Sequence, residues 1–492
     1  MKRFVTLLFG LGLSLSAFAQ AGATQSATVQ QTIDALAVKA PLQGTVWGFC
    51  VKDLQGHTLT QHNAGQRMMP ASNRKLITTG VALHAFGPEY RFRTGIGYTG
   101  EIAEDGTLQG DVYLIGGGDP TLGAPDSIAY KPDALFWKWK SLLKEAGIQR
   151  IHGRIVGDGT AFEGHLEHAS WEYDDMGTYY GTGGNALCFY ENAIDFDVAA
   201  AVEGEPVKMR QTYPETPWLH LTNHAFTGPE GTGNSLYLFT TDLAPYAELR
   251  GTFATDRKPK RESFSNKYGA LTCAYYFWKN LRDTGWEVTG GYADIDRNGY
   301  LRGPDFRPQE KAGKPREIGF TESPRLADIA HVTNWRSDNF YAETFLRAMG
   351  EAASGVAEYD SCLVAESVVL RDLGLNLDDI ALADGSGLSR MNYVTPEWMT
   401  DFLLAMRGSP AFDVFLSTIP HPGQGTLNVI NLDPSRICMK SGSLGGTLCY
   451  SGYVLDASGR PQKVFSFLTN NAVASTREVR SAIVQVLSLL IE

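Results

Sequence analysis

The sequence predicts a mixed α/β fold of the α+β kind, in which a large strand-rich insertion splits a core domain. Its 492 residues exceed what one hydrophobic core usually holds, so two or three domains are expected. Hydrophobic residues make up 43% and aromatic residues 11% of the chain, which is a globular composition. Helical patterns occur towards both chain ends, whereas short strands and turns dominate the middle from Arg91 onward.

The N-terminus is typical of a secretory signal peptide, which we predict over residues 1–19. Lys2 and Arg3 precede an apolar stretch, and residues 17–19 form a small-residue cleavage site. The apolar stretch is too short to span a bilayer, so no transmembrane anchor is expected. We therefore expect an exported protein.

The first part of the core is predicted over residues 20–90. A hairpin of Val46–Val51 and His57–Gln61 leads into a helix that Pro88 ends. That helix is apolar nearly all round, which is typical of a helix buried inside a domain.

The insertion is predicted over residues 91–315 and is expected to form one or two extra domains. Short strands dominate it, among them Ile151–Val156, and two helices are predicted at Asp133–Ala146 and Ala270–Asp283. The glycine run at 116–118 lacks the spacing of a dinucleotide-binding loop.

The second part of the core is predicted over residues 316–492. A capping box of Ser475 and Glu478 begins its last helix, whose polar face lacks the basic residues of a membrane-surface anchor. That helix is therefore expected to pack on the core. The other helices are predicted at Ser337–Met349, Leu363–Leu373 and Pro396–Met406, and the strands at Arg436–Ser441, Tyr450–Leu455 and Lys463–Thr469.

Charge and cysteine content exclude several classes of function. The formal net charge of −11 argues against binding of nucleic acid or of an anionic membrane face. The six cysteines include no CxxC pair, so neither a zinc ribbon nor a thioredoxin-type site is expected. Two interpretations of the cysteines stay open: buried free thiols throughout, or one disulfide between Cys438 and Cys449 across a hairpin.

Three short motifs in one order carry the chemical information. Ser72 and Lys75 lie three residues apart on a helix, so they share a face and the amine can take the proton of the hydroxyl. The Ser-Asp-Asn motif at 337–339 adds a second hydroxyl and an amide. The Lys-Ser-Gly-Ser motif at 440–443 places a cation before a glycine on a predicted strand.

The Ser-x-x-Lys spacing is a weak signal by itself, since about two copies are expected by chance in a chain of this length. The second copy, at Ser141, lies in an amphipathic helix pattern and is predicted to be a surface hydroxyl. Ser72 read alone also suits a helix N-cap, but the order of the three motifs favours a nucleophile. The first turn of a buried helix should lower the pKa of Lys75 through the helix dipole and reduced solvation.

Together these motifs resemble those of low-molecular-mass class C penicillin-binding proteins, the penicillin-binding protein 4 type of D-alanyl-D-alanine carboxypeptidase/endopeptidase. The resemblance covers essentially the whole mature chain and includes the segments Gly118–Leu122 and Asp384–Arg390. The long gap between Ser72 and Ser337 is typical of this family, since β-lactamases have a far shorter one. The resemblance implies a core domain like that of serine β-lactamases and transpeptidases, built from both chain ends.

The resemblance also implies a role for each motif residue. Ser72 would attack the carbonyl of the penultimate D-alanine and form an acyl-enzyme, with Lys75 as its base. Ser337 would pass a proton to the leaving D-alanine nitrogen, Asn339 would hold a substrate amide, and Lys440 would bind the terminal carboxylate.

Three further positions follow from the resemblance. The backbone N–H groups of Ser72 and Ser443 would form the oxyanion hole. Ser441, before Gly442, replaces the usual threonine; it keeps the hydroxyl but lacks the β-branch that stiffens χ1. Asp175 aligns with the aspartate that meets the amine of the substrate's diamino-acid side chain, although a solvated loop acid remains the alternative.

The function expected is that of a periplasmic serine DD-peptidase that hydrolyses D-Ala-D-Ala ends and cross-links of peptidoglycan stem peptides and is inhibited by β-lactams. No cofactor is expected, and no metal, because the acids and histidines at 163–168 do not form a complete ligand set. Two alternatives stay open. A β-lactamase or esterase would need a base for deacylation that the sequence does not reveal. A catalytically weak cell-wall-binding protein is disfavoured because every catalytic hydroxyl and amine is present.

Overall fold

The computed structural model describes residues 27–491, so the predicted signal peptide lies outside the described residues. In chain order its helices are α1 (residues 27–37), α2 (Arg74–Phe86), α3 (Pro132–Glu145), α4 (Gly269–Asp283), α5 (Leu326–Arg336), α6 (Asn339–Ser354), α7 (Tyr359–Asp372), α8 (Pro396–Met406), α9 (Phe412–Thr418) and α10 (Thr476–Ile491). Its strands are β1 (Val46–Asp53), β2 (Thr58–His62), β3 (Arg93–Tyr98), β4 (Glu101–Ile102), β5 (Thr107–Gln109), β6 (Val112–Ile115), β7 (Arg150–Ile151), β8 (Ile155–Asp158), β9 (Ala193–Ala199), β10 (Lys208–Tyr213), β11 (His220–Asn223), β12 (Phe226–Gly228), β13 (Tyr237–Thr241), β14 (Ala244–Arg250), β15 (Thr252–Ala254), β16 (Lys260–Ser265), β17 (Tyr292–Ile295), β18 (Tyr300–Arg302), β19 (Pro308–Lys311), β20 (Arg316–Glu322), β21 (Ile437–Leu444), β22 (Thr447–Leu455) and β23 (Pro461–Asn470).

A five-stranded antiparallel sheet joins the two chain ends, in the order β2-β1-β23-β22-β21. One face of the sheet packs against α10, whose apolar stripe shares a core with Trp47, Phe49 and Phe467. The expectation that this last helix packs on the core is thereby confirmed. The other face lies against α8 and, beyond it, the buried α2.

Helix α2 is buried at every residue from Arg74 to Leu83, and only its last turn reaches the surface. Gly80 makes this possible, because a Cβ at that position would lie 2.9 Å from Cζ of Phe402 on α8. The sequence pattern therefore predicted correctly that this helix forms the interior of the domain, and its first turn is shielded from water.

The inserted segment forms its own sheets. The largest has seven strands in the order β19-β18-β17-β8-β6-β3-β20, and smaller sheets combine β10-β9-β16, β11-β14-β13, β12-β15 and β4-β5-β7. The predicted mixed α/β fold with a strand-rich insertion into a split core is confirmed. The bounds of the domains stay a prediction; because β20 pairs with β3, a division after Glu322 keeps the seven-stranded sheet whole, whereas one at 315/316 does not.

One predicted strand is wrong, and several predicted ends are shifted; the helix predicted from Leu363, for example, begins at Tyr359. The single strand at Ile151–Val156 is two strands, β7 and β8, because the chain passes between sheets at Gly153, where a Cβ would lie 2.0 Å from the Gly110 carbonyl oxygen. The helix predicted from Ser337 begins at Asn339. Asp338 caps it by accepting a hydrogen bond from the Tyr341 N–H (3.0 Å).

The cysteines are buried free thiols. In the hairpin of β21 and β22, Cys438 lies opposite Tyr453 and Cys449 lies opposite Gly442, so the two thiols are not cross-strand neighbours. The disulfide alternative is therefore wrong. In the part of the chain that the structure describes, no helix has both the length and the apolar character needed to cross a membrane.

Candidate active site

Ser72 lies in a single 3-10 turn, Ala71–Asn73, that leads directly into α2. The Nζ of Lys75, in the first turn of that helix, lies 3.0 Å from Ser72 Oγ. Lys75 is fully buried, and this burial lowers the pKa of its ammonium to about 8 although Asp384 and Glu343 act in the opposite direction. The pair therefore combines a hydroxyl with an amine that readily becomes a neutral base.

The second motif meets the first through Asn339. Its Oδ1 accepts a hydrogen bond from Lys75 Nζ at 2.6 Å, and its Nδ2 donates to the Tyr180 carbonyl oxygen at 2.9 Å. A third acceptor of Lys75 Nζ is the Ser386 carbonyl oxygen, at 2.8 Å. Lys75 is thus held between α6 and the polar loop that the sequence indicated at 384–390.

Ser337 and Lys440 form a second hydroxyl–amine pair. Lys440 Nζ donates to Ser337 Oγ at 2.8 Å and to the Ser441 carbonyl oxygen at 2.6 Å. Burial, together with the nearby charge of Lys75, lowers the pKa of Lys440 well below its ordinary value. Ser337 itself is not helical. It is the C-cap of α5 and has a left-handed conformation, with φ of 61°, so its hydroxyl does not follow the side-chain direction of that helix.

Gly442 allows β21 to lie directly against the turn that carries Ser72. A Cβ on Gly442 would lie 2.6 Å from the Pro70 carbonyl oxygen and 2.9 Å from the Ser72 nitrogen. Any side chain here would separate the strand from the serine. Ser443 follows on the same strand and is exposed, so its N–H and that of Ser72 lie on neighbouring elements at the mouth of the site.

Ser441 has a partner that the sequence did not indicate. Its hydroxyl lies 2.6 Å from Oγ1 of Thr426, which belongs to a short 3-10 turn at Gly425–Leu427. This turn packs closely on Trp335, since a Cβ at Gly425 would lie 2.2 Å from the Trp335 carbonyl oxygen. Two hydroxyl groups therefore stand side by side next to the buried Lys440.

The loop at 384–390 is positioned by a buried glutamate that sequence reasoning missed. Glu343 on α6 accepts hydrogen bonds from the N–H groups of Gly385 (3.0 Å) and Ser386 (2.7 Å), which directs the Ser386 carbonyl towards Lys75. Burial and the neighbouring Asp384 raise the pKa of Glu343 to about 7. An acid on the buried face of this helix, among Tyr341, Phe345 and Leu346, was the available signal.

The inserted segment 171–180 lines the site from outside the core. Tyr180 accepts from Asn339 through its backbone and donates its hydroxyl to Asp175 Oδ1 at 3.2 Å. Asp175 is partly buried, and this desolvation raises its pKa. Glu172 pairs with Arg390 of the polar loop, with 2.8 Å between Oε2 and Nη2. The structure thus brings the segment that carries Asp175 to the second motif.

A second contact from the insertion reaches the residue before Ser337. Tyr190, Glu191 and Asn192 have consecutive left-handed φ values of 56°, 54° and 51°, which is costly for non-glycine residues. This turn directs Glu191 to Arg336, with 2.9 Å between Oε2 and Nη2. Arg336 is also paired with Asp338 at 2.9 Å. The sequence gave no indication of this support for Ser337.

The acids and histidines at 163–168 do not combine as a unit. His165 and Glu167 approach Asp242, with their ligand atoms within 4.8 Å of one another. Cations already occupy this group: Lys267 Nζ lies 3.0 Å from Glu167 Oε1, and Arg297 contacts Asp242. The expectation of no metal stays a prediction.

A split α/β core that carries a serine beside a buried lysine, with a second serine–lysine pair across the cleft, defines a serine hydrolase of the transpeptidase-like class. The chain belongs to the D-Ala-D-Ala carboxypeptidase 3 (S13) family, which it matches over residues 29–490. It is therefore a serine-type D-Ala-D-Ala carboxypeptidase, a hydrolase of peptidoglycan.

Relatives of known activity and structure agree with this assignment. The chain is 26% identical over 470 residues to a D-alanyl-D-alanine carboxypeptidase from an Actinomadura species, covering 92% of this chain and 83% of the relative. It is 24% identical over 447 residues to D-alanyl-D-alanine carboxypeptidase DacB of Haemophilus influenzae, covering 87% and 86%.

The crystal structure of penicillin binding protein 4 from Haemophilus influenzae superposes with a TM-score of 0.76 at 24% identity, covering 93% of this chain and 98% of that one. A second crystal structure of that protein, in complex with a β-lactam, superposes with a TM-score of 0.73 at 22% identity and the same coverage. The predicted family and fold are confirmed.

Proposed function

We propose that this chain is a periplasmic serine DD-peptidase that cleaves both D-Ala-D-Ala ends and cross-links of peptidoglycan stem peptides through an acyl-enzyme on Ser72. The observation that carries the proposal is the contact of 3.0 Å between Ser72 Oγ and the Nζ of a fully buried lysine. The periplasmic location rests on the signal peptide predicted at 1–19. Detection of a precursor shortened at that site would test it.

In the acylation step, Ser72 Oγ bonds to the carbonyl carbon of the penultimate D-alanine and gives its proton to neutral Lys75. The lowered pKa of Lys75, about 8, supports this role because a substantial fraction of the amine is neutral near physiological pH. The bond to the terminal D-alanine nitrogen then breaks, and that nitrogen requires a proton.

We assign delivery of this proton to Ser337. Its hydroxyl gives a proton to the leaving nitrogen and recovers one from Lys440, whose Nζ lies 2.8 Å away. The lowered pKa of Lys440 supports this transfer, since a destabilised ammonium gives up its proton readily. Before deacylation, protonated Lys75 loses its extra proton and neutral Lys440 regains one, both by exchange with solvent in the cleft. In deacylation, water attacks the acyl carbon and gives its proton to neutral Lys75, which passes that proton to Ser72 Oγ as this oxygen leaves.

Substrate binding is assigned to the groups around this pair. The N–H groups of Ser72 and Ser443 form the oxyanion hole, which the close packing enforced by Gly442 supports. The Ser441 hydroxyl receives the terminal carboxylate next to Lys440, and the adjacent Thr426 hydroxyl is a further donor. Lys440 is fully buried, so in its protonated form it acts on that carboxylate from behind these hydroxyls during binding, before it gives its proton to Ser337.

Two groups from the second motif and the insertion hold the stem peptide. Asn339 uses one Nδ2 hydrogen for Tyr180, and we assign the other to a substrate carbonyl. Asp175 receives the amine of the diamino-acid side chain. Cleavage of cross-links requires room for a larger leaving group, and a cleft of about 540 Å³ that is lined by Ser337, Asn339 and Arg336 supports it.

Turnover of a soluble D-Ala-D-Ala tripeptide, measured beside that of a chromogenic cephalosporin, tests the proposal. We expect repeated turnover of the peptide and a single acylation by the cephalosporin. Fast cephalosporin hydrolysis without peptide cleavage would identify a β-lactamase, and turnover of neither would identify a wall-binding protein. A cross-linked muropeptide dimer tests the endopeptidase activity in the same assay.

The position of the acyl group is tested separately. Intact-protein mass spectrometry after incubation with penicillin should show one adduct on the wild type and none on Ser72→Ala. Ser141→Ala is the matched control, because it alters the other Ser-x-x-Lys serine and should label like the wild type. Equal labelling of Ser72→Ala would exclude Ser72 as the nucleophile.

A further inference from the structure

The outer face of the three-stranded sheet β11-β14-β13 in the insertion carries a group of aromatic side chains with solvent access. Tyr246 is 67% exposed and, on the adjoining segment, Tyr173 is 65% exposed. Isolated exposed aromatics are common, but a contiguous group of this kind marks a binding surface in soluble proteins. This aromatic face consists of Tyr173, His220, Tyr237, Phe239 and Tyr246.

The register of the sheet places these rings on one side. His220 pairs with Tyr246, and Tyr237 pairs with Arg250, while the alternate residues Leu238 and Leu249 are buried on the other side of the sheet. The inner residues therefore account for the hydrophobic core of this sheet. On the outer side, Tyr237 and Phe239 are half-buried, whereas His220, Tyr246 and Tyr173 are exposed.

The rings form two groups on neighbouring strands, one of Tyr173, Phe239 and Tyr237 and one of His220 and Tyr246. The centroids of Tyr237 and Phe239 are 4.9 Å apart, those of His220 and Tyr246 are 5.1 Å apart, and Tyr173 lies 4.5 Å from Phe239. With strands about 4.8 Å apart and same-face residues about 7 Å apart along each strand, the face spans roughly 10 Å by 14 Å. That area suits two or three sugar rings in a row.

The charge of the face is balanced although the chain carries a net charge of −11. Glu248 lies among the rings, and both Arg250 and His224 are paired with it; the Arg250 Nε and Glu248 Oε1 atoms are 2.7 Å apart. The Arg250 guanidinium also lies 5.0 Å from the Phe239 ring centre. A polyanion would find no unpaired cation here, whereas a ligand with apolar C–H faces and hydroxyl groups matches both the rings and the polar groups between them.

The aromatic face is continuous with the candidate active site through segment 171–180. Gly177 packs directly on β13, since a Cβ there would overlap the Leu238 carbonyl oxygen. Beside Tyr173, Glu172 pairs with Arg390, and at the far end of the segment Tyr180 accepts from Asn339. One short segment therefore contacts both the aromatic rings and the second motif.

We propose that the aromatic face binds the glycan strand of peptidoglycan while a stem peptide from that strand occupies the active site. The inference rests on the proposed function, because it extends the substrate from the peptide to the polymer that carries it. Sugar rings present C–H faces that stack on aromatic side chains, and their hydroxyls match the charged pair of Glu248 and Arg250. The enzyme would thus favour stem peptides attached to polymer over free ones.

The test compares two substrates in a double variant, Tyr237→Ala with Tyr246→Ala. Release of D-alanine from intact sacculi should fall about tenfold, the effect of losing two stacking contacts, whereas kcat/KM for a soluble D-Ala-D-Ala tripeptide should stay within about twofold. Trp137→Ala is the matched control: this residue on α3 is 66% exposed and distant in sequence from the aromatic face, and its loss should affect neither substrate.

A second measurement separates this inference from the proposed function. Peptide-free glycan strands, prepared from sacculi with an amidase, should bind the wild-type protein in co-sedimentation and bind the double variant far more weakly. Equal binding by both proteins, equal loss on both substrates, or an unchanged rate on sacculi would overturn the inference. Failure of the wild type to cleave the tripeptide would contradict the proposed function alone. Co-sedimentation with glycan strands would still decide whether the aromatic face binds glycan.

Discussion

The two sides of the active site differ in how far they exclude water. On the core side, Lys75, Glu343 and Lys440 are fully buried, and each is held by hydrogen bonds to fixed groups. On the inserted side, Asp175 is only partly buried and Glu172 is exposed. The partner of Glu172, Arg390 of the core loop, is half-buried. Burial changes pKa values strongly, whereas exposed charges are screened. We therefore propose that the core side sets reactivity and that the inserted side selects the substrate.

The largest effect is expected on the core side. Lys75→Arg keeps the positive charge but stays protonated at any working pH, so the rate of peptide cleavage should fall by about 10²–10⁴-fold. Acylation by penicillin should fall equally, because both reactions need the same base. Lys144→Arg, in the other Ser-x-x-Lys sequence, is the control and should keep wild-type rates. Near-normal kcat in Lys75→Arg would mean that reactivity is not set by this buried amine.

On the inserted side the loss should depend on the substrate. Asp175→Asn removes one partner of a charge-assisted contact, which costs on the order of 1.5–3 kcal/mol, or about ten- to a hundredfold in kcat/KM for peptides with a free diamino-acid amine. Peptides with that amine acetylated, and penicillin acylation, should be spared. Asp174→Asn changes an exposed neighbour and serves as the control. Parallel losses on acetylated and free substrates would mean that Asp175 supports the fold.

Glu191 tests whether the insertion also influences reactivity. Glu191→Gln keeps the size of the side chain but removes its ion pair with Arg336, the residue before Ser337. A loss of about 1 kcal/mol in the positioning of Ser337 predicts a decrease in kcat of about fivefold, with KM unchanged. Glu230→Gln, on an exposed turn, is the control. A rise in KM instead would assign Glu191 to substrate binding.

The smallest expected effect is a shift in pH dependence. With Lys75 as the proposed base of acylation, the acylation rate should rise with pH and level off above about 8, the pKa of Lys75. The charge of Glu343 raises that pKa, so Glu343→Gln should move the inflection to lower pH by less than about one unit. Stopped-flow acylation by a neutral β-lactam ester across pH 6–10 measures it. An unchanged inflection would show that Glu343 acts on Lys75 by position alone.

Local patterns predicted much of the fold because those elements depend on neighbours in sequence. The hairpin before Ser72, the helix Pro396–Met406 and the capping box at Ser475 and Glu478 occur where the sequence indicated them. The helix at 396 begins as expected from its local signals, with Thr395 Oγ1 accepting from the Trp398 N–H at 3.0 Å and proline in the first turn.

The errors arose where distant contacts override local preference. Ser337 looked like the start of a helix, but its left-handed conformation directs the hydroxyl to Lys440, about a hundred residues away in sequence. Glu343 was not singled out in the sequence, yet it binds the loop at Gly385 and Ser386. Periodicity describes only which face a residue occupies and gives no information about its distant partner.

The sequence by itself determined the reaction class, because nucleophile, base and proton donor must be particular residue types at short, fixed spacings within each motif. Only the tertiary structure decided how the motifs meet: Asn339 joins Lys75 to Tyr180 of the insertion, and Gly442 brings β21 to within contact of Ser72. The burial that lowers the pKa of Lys75 is also a tertiary property. It arises from helices and loops that pack around the amine from distant parts of the chain, and desolvation depends on that packing and not on the order of residues.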